Sequence, residues 1–275
     1  MPVPSPHTVD RCTQLLLQWR HRLQLSSRET GLLGGELRLL DRQLKRLVER
    51  TLRIAVFGRV GVGKSSLING LIGDPILATD VAHGCTRSQQ TVPWPIAVGP
   101  LNRIELVDTP GIDEINAAGR ARLAKRVAMG ADLVLLVVDS DLCTTDQDAI
   151  NALLASGKPM QIVLNRSDRW PSEELPALLN SIRARLPRAI HVTAVAAAPR
   201  QPRLQSDGRI RSEPTAPRLD PLRSHLLDQL NREGGLLLAL QSLRCADRFQ
   251  SSCQALRLQQ HRSSAQGLIG RYTTA

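Results

Sequence analysis

The run LRIAVFGRVGVGKSSLING, residues 52 to 70, constrains the fold more than any other stretch. A β-rich, mostly apolar segment ends at Gly58, a loop with Gly61 and Gly63 follows, and Lys64 opens a segment with helical spacing. A strand that turns through glycines into a helix begins a βαβ crossover, the connection that parallel strands need. The alternation then repeats. TVPWPIAV, NRIELVD, DLVLLVVD, MQIVLN and AIHVTAV are β-rich, and helices are expected near 119–128, 145–156 and 172–185. Near-continuously apolar strands separated by helices predict an α/β fold, a parallel sheet covered on both faces. Pro93 and Pro95 place TVPWPIAV on a sheet edge, because proline cannot donate to a ladder.

The flanks read differently. Residues 1–51 form a helical extension in which Leu33, Leu37, Leu40, Leu44 and Leu47 trace an a/d seam. That seam is expected to dock on the neighbouring domain or on the C-terminal helices. Gly31, Gly34 and Gly35 predict a break between two helices. Residues 52–198 make the central domain, and 199–221 are a Pro-, Arg- and Ser-rich linker or extended surface segment. Residues 222–275 return to leucine-rich helix, with a break expected at Gly234-Gly235.

The net charge of +11 sits almost wholly in these flanks. Residues 1–51 carry +4, residues 52–199 carry +1, and residues 200–275 carry +6. The basic ends predict an anionic partner, either RNA or an acidic membrane surface. Five scattered cysteines without a CxxC pair argue against disulfides or zinc and for a reducing, cytoplasmic setting, peripheral to a membrane if the lipid reading holds. No apolar run approaches a transmembrane span. The N-terminus lacks the pattern of a secretory signal, and Asp10, Glu29 and Glu36 argue against a transit peptide.

The loop itself reads Gly58-x-x-x-x-Gly63-Lys64-Ser65. Its glycines let backbone approach a phosphate, and successive N–H groups at a helix N-terminus point at the anion. Gly58, Arg59, Val60, Gly61, Val62 and Gly63 are the candidate cradle, continued by Ser66. Lys64 is expected to reach the β- and γ-phosphates and Ser65 to ligate Mg²⁺. DTPG, Asp108 to Gly111, follows 43 residues after Ser65. A strand-end aspartate suits Mg²⁺, directly or through water, and Gly111 can donate its N–H to a γ-phosphate. In NRSD, Asn165 to Asp168, the carboxylate of Asp168 can accept from guanine N1–H and N2–H₂ and reject adenine. Asn165 is expected to tie this loop to the cradle. In TAV, the backbone at Thr193 and Ala194 can meet guanine O6. Thr86 is the expected switch threonine completing Mg²⁺ coordination, with Thr91 as its competitor at the start of a strand. His83 and His191 read as structural. Asp139, Asp141, Asp146 and Asp148 read as a solvated helix start without calcium-loop spacing.

Taken in order, GRVGVGKSSLIN, a threonine, DTPG, NRSD and TAV resemble the GTPase superfamily, specifically its Era-like and dynamin-like branch, over about residues 52–198. The resemblance implies a doubly wound, mostly parallel six-stranded G domain. It implies GTP and GDP as ligands with Mg²⁺, and Lys64, Thr86 and Gly111 as catalytic. The flanks resemble bacterial, notably cyanobacterial, GTPases that carry a hydrophobic domain further on. This chain ends at Ala275 and reads as a shortened relative. Three departures matter. Arg166 replaces the lysine of the third motif, and its guanidinium can stack on base or ribose. Gly61 stands where potassium-activated relatives carry asparagine, which removes that ion's ligand. Ile112 stands where Ras-like enzymes carry a water-orienting glutamine. Hydrolysis is therefore expected to be slow unless switch backbone, a second G domain or a partner's arginine completes the site. Arg59 as an internal finger is the weaker reading beside a solvated loop arginine.

The expected function is a nucleotide-controlled switch. The alternatives are an RNA or ribosome-assembly factor and a nucleotide-binding module with negligible hydrolysis. GLIG, Gly267 to Gly270, matches the GxxG loop of Era's RNA-binding domain but lies at the chain end, which weakens the RNA reading.

Overall fold

The central strand, β1 (Thr51–Gly58), buries Leu52, Ile54, Ala55, Val56 and Phe57 together, so both of its faces are covered. In the computed structural model, which describes residues 6–78, 89–112, 119, 127, 129–204 and 209–273, β1 pairs in parallel with β3 (Arg103–Asp108) and β4 (Leu133–Val138). β4 pairs in parallel with β5 (Met160–Leu164), and β5 with β6 (Val192–Ala194). β2 (Gln90–Trp94) is antiparallel to β3 and closes one edge, where Pro93 costs no interior ladder bond. The six strands run β2-β3-β1-β4-β5-β6. β3 and β4 lie on opposite sides of β1, so the winding reverses there and a crevice opens at the C-terminal ends of the strands.

Helices α3 (Lys64–Ile72), α4 (Thr144–Ala155) and α5 (Leu175–Ala184) accompany the sheet. Residues 119, 127, 129 and 130 are also helical, while 120–126 and 128 lie outside the described residues. Val134, Leu136, Ile150, Leu153, Ile162, Leu164 and Ile182 join Phe57 and Val107 in one apolar core that is mostly aliphatic.

Within the stretch expected to be linker, β7 (Arg200–Leu204) and β8 (Ile210–Pro214) form an exposed antiparallel hairpin with Arg203 opposite Arg211. Then α6 (Asp220–Thr273) begins with Pro221, which is tolerated in a first helical turn. The break expected at Gly234-Gly235 is absent. Gly234 serves packing instead, since a Cβ there would lie 2.8 Å from Leu101 Cδ1.

By contacts the chain divides into two units, residues 51–234 and residues 1–50 with 235–275. The second contains α1 (Pro6–Arg22), α2 (Ser27–Glu49) and the distal part of α6. Two N-terminal helices form as expected, but the chain breaks at 23–26 rather than at the glycines. Ser26 caps α2: its backbone N–H donates to Glu29 Oε2 at 2.7 Å, and Glu29 N–H donates to its hydroxyl at 3.3 Å. Gly31, Gly34 and Gly35 continue the helix, because each costs only about 1 kcal/mol against alanine. Leu40, Leu44 and Leu47 are buried, and Leu33 and Leu37 half-buried. The seam meets α6, where Gln43 Nε2 donates to Ser242 Oγ at 3.2 Å and Arg257 Nε to Glu29 Oε1 at 2.6 Å. No described helix is long and apolar enough to cross a membrane.

Candidate functional site

The parallel strands bring their C-terminal ends to one edge of the sheet, and four sequence motifs follow them there. After β1, the loop passes through Gly58, Arg59, Val60, Gly61 and Val62 to Gly63, which holds φ +88. A Cβ on Gly63 would stand 2.4 Å from Asn165 Nδ2, so both its conformation and its neighbour demand glycine. Lys64 opens α3 and is buried, with Nζ donating to the carbonyls of Gly58 at 3.1 Å and Arg59 at 2.8 Å. Ser65 Oγ donates to Asp108 Oδ2 at 2.6 Å, which joins the end of β3 to the start of α3. Ser66 follows on α3, half-buried.

The DTPG segment is pinned at both ends. Thr109 Oγ1 donates to Val56 O at 2.8 Å, and Ile112 N–H donates to Gly58 O at 3.3 Å. Between them, Gly111 lies so close to the cradle that a Cβ would fall 2.8 Å from Val60 N. Ile112 is fully buried.

Asn165, 2% exposed at the end of β5, joins three loops. Its Nδ2 donates to Val62 O at 2.9 Å, and its Oδ1 accepts from Ala197 N–H at 3.0 Å. Ser167 N–H donates to Val195 O at 2.9 Å and draws the same loops together. Asp168 lies in the short 3₁₀ turn Ser167–Arg169, exposed and without a hydrogen bond among the described residues. Thr193 is buried in β6 with Oγ1 3.0 Å from His191 Nδ1, and Ala194 next to it is half-buried. Thr91 stands in β2 opposite Val107. Thr86 and His83 lie outside the described residues.

Two arginines are placed differently from expectation. Arg166, at φ +59, donates to Asp139 Oδ2 at 2.8 Å and to the Gly61 carbonyl, so its guanidinium braces the cradle rather than lying free to stack. Arg59 is not a freely solvated loop arginine but is half-buried. It donates to Asp139 Oδ1 at 3.0 Å, Asp146 Oδ1 at 3.2 Å and Ser140 Oγ at 3.3 Å, which turns it away from a finger's task. Burial opposes its charge, but Asp146, Cys143 and Asp139 outweigh that and hold its pKa above the ordinary value. The acidic cluster is only in part a solvated helix start: Asp148 is exposed on α4, and the other three are committed to protein partners. Asp146 is fully buried and accepts from Cys143 N–H at 3.2 Å as part of the α4 cap. Asp139 bridges Arg59 and Arg166. Asp141 accepts from Leu142 N–H at 2.9 Å, from Ser181 and from Arg185; these outweigh burial and keep its carboxyl below the usual range.

Sequence reading missed Thr109, Asp139 and Ala197 as organisers of this edge. Asp139 had a signal, since it ends the apolar strand LVLLVVD at the ligand-bearing edge. Ala197 had none, because it acts through its backbone N–H. Chemically, the edge offers backbone N–H groups and a lysine to an anion, and an open carboxylate at Asp168. Ser65 and Asp108 are adjacent hard oxygen donors, the set that Mg²⁺ takes.

Residues 53–166, which contain the cradle, DTPG and Asn165, match the 50S ribosome-binding GTPase family. Over those residues the chain is similar to a P-loop GTPase domain. Similar curated proteins include the tRNA modification GTPase MnmE of Lactobacillus delbrueckii subsp. bulgaricus, 39% identical over 48% of this chain and 29% of its own length. GTPase Der of a Polaromonas species is 34% identical over 49% of this chain and 31% of its own length. The chain thus spans about a third of the length of such relatives. Among solved structures, Aquifex aeolicus Era bound to GDP·AlF4⁻ superposes with a TM-score of 0.50 at 23% identity, covering 65% of this chain and 56% of Era. The central sheet and its helices thus share their fold with Era.

Proposed function

We propose that this chain is a nucleotide-controlled switch that binds GTP and GDP with Mg²⁺ and hydrolyses GTP slowly to GDP and phosphate. The reading rests most on Asn165, which bonds the cradle at Val62 and the loop after β6 at Ala197. Phosphate-binding and base-binding loops are thereby one preorganised unit before any ligand arrives. Residues 52–198 act as the G domain, flanked by the helical extension 1–51, the segment 199–221 and the C-terminal helix. Phosphates lie against the backbone of Gly58 to Gly63, continuing to Ser66, and Lys64 exchanges the Gly58 and Arg59 carbonyls for phosphate oxygens. Ser65, Asp108 and Thr86 would hold Mg²⁺, which offsets phosphate charge when bound. Asp168 accepts guanine N1–H and N2–H₂, and the backbone at Thr193 and Ala194 meets O6. Arg59 and Arg166 keep the cradle in shape through Asp139.

For the chemical step the chain supplies Lys64, the Gly111 N–H and Thr86, which stabilise and position the transferring phosphoryl group. With Ile112 buried where a water-orienting side chain would stand, turnover is slow unless a second G domain or a partner's arginine completes the site. The same residue favours a second reading, a binding module with negligible hydrolysis. The basic flanks meet an anionic membrane surface or RNA. MnmE's name refers to tRNA and a solved Era structure contains 16S ribosomal RNA, which supports an RNA or ribosome-assembly role as the alternative.

Fluorescent GDP and ADP titrations test the core of this. GDP should bind at least about a hundredfold more tightly, because adenine sets its N1 acceptor against the Asp168 carboxylate and offers it no donor there. Equal ADP binding, or GDP binding that survives Lys64→Ala, sinks the proposal. Single-turnover phosphate release separates a slow enzyme from a pure binder. RNA filter binding against vesicle sedimentation, each across salt, separates the partners.

A further inference from the structure

A cavity of about 590 Å³ opens at the opposite edge of the sheet from the cradle, where β5 and β6 begin. Gln161 lines it, about 13 Å along β5 from Asn165 at ~3.3 Å per residue. Its charged and titratable lining is Arg183, Arg188, His191, His225, Arg232 and Glu233. Among the described residues none of the three arginines forms an ion pair. Arg183 reaches only the Val192 carbonyl at 3.5 Å, and Arg232 donates to the Asp228 carbonyl of its own helix at 3.3 Å. Several arginines of this unit, such as Arg53, Arg59, Arg166 and Arg185, are instead committed to carboxylates. Three uncommitted guanidinium groups around one cavity, with a single carboxylate, make a positive pocket that the protein does not neutralise itself.

A further observation points to a ligand. The rings of His191 and His225 stack 3.6 Å apart at 10°, which forms a flat wall beside the cations. Burial first, then His225 and Arg183, push the His191 pKa down. Gln161, 2% exposed, donates from Nε2 to Gln229 Oε1 at 2.5 Å and anchors the floor of the cavity between β5 and α6. Met160, Ile190 and Val192 supply apolar lining, and the volume is that of a small-molecule site rather than of one bare anion.

We propose that this cavity is a second ligand site, separate from the nucleotide cradle, which binds a small phosphorylated organic molecule: Arg183, Arg188 and Arg232 take the phosphate, and the stacked imidazoles and apolar lining take the organic portion. The pocket's position far from the phosphate loop means that both sites can be filled at once.

The test uses the full chain saturated with Mg²⁺ and GDP, so that the cradle is occupied. Phenyl phosphate and inorganic phosphate are titrated at constant ionic strength while the imidazole C2–H signals of His191 and His225 are followed by NMR. Both signals should shift saturably, that of His191 should titrate at higher pH, and phenyl phosphate should bind more tightly. In Arg183→Ala with Arg232→Ala the affinity should fall about tenfold or more, the scale of a lost charge-assisted contact. GDP affinity should not change. If that double variant fails to fold, the exposed Arg188→Ala is judged by the same loss. The proposal is overturned if neither phosphate moves the two signals saturably, if chloride moves them equally, or if the arginine variants bind unchanged.

Discussion

Gly63 shows how much one position in the cradle carries. Alanine there would have to adopt φ +88 and would push a methyl against Asn165 Nδ2 at 2.4 Å. Gly63→Ala should therefore destabilise the fold by about 1–3 kcal/mol and weaken GDP binding, because relief comes only by breaking the Asn165–Val62 bond. Thermal melting and GDP titration check both parts, and a variant that melts and binds like the parent refutes the interlock. At this scale the sequence was legible wherever spacing encodes chemistry. Lys64 and Ser65 sit on the helix start as expected, Asp108 meets Ser65 across 43 residues of sequence, and Asn165 reaches the cradle. Side-chain destinations were less legible. Arg59 and Arg166 looked available to a ligand, but Asp139 lies between them. A residue's partner depends on which strand ends are neighbours, and a local motif does not contain that.

Glycines inside helices mark the limit of reading at the level of the element. Gly31, Gly34 and Gly35 looked like a break, and Gly234-Gly235 like another, yet α2 and α6 run through them. The actual break at 23–26 is set by Ser26 and Glu29, a capping box visible in the sequence once helix starts rather than stops are sought. These glycines also differ from one another. Nothing lies within 4 Å of a Cβ on Gly35, whereas Gly234 packs on Leu101. Gly35→Ala should stabilise by about 0.5–1 kcal/mol through helix propensity, and Gly234→Ala should destabilise by about 1–3 kcal/mol through overpacking. Melting curves of the two variants should shift in opposite directions; shifts of the same sign would defeat this account.

For the whole molecule, the helical unit carries a pH dependence of its own. Glu29 accepts from Arg257 and from the Ser26 cap, covered by these partners rather than sunk in a core, and its pKa falls to about 2. A carboxyl whose folded pKa is depressed adds stability above its unfolded value of 4.5, lost as pH falls from there toward about 2. Melting between pH 5 and 2 should show this loss, and Glu29→Gln should reduce it; an unchanged acid profile in the variant would assign the loss to other carboxylates. By itself the sequence determined the alternating strand and helix order, the apolar faces and the four ligand motifs. Periodicity and glycine placement are local properties, and they survive in one dimension. Only the tertiary structure decided that the leucine seam of α2 lies against α6, that Asp139 braces two arginines, and that three unpaired arginines surround one cavity beside two stacked histidines. Those are contacts between residues distant in the chain, set by strand order and helix packing rather than by any neighbouring residue.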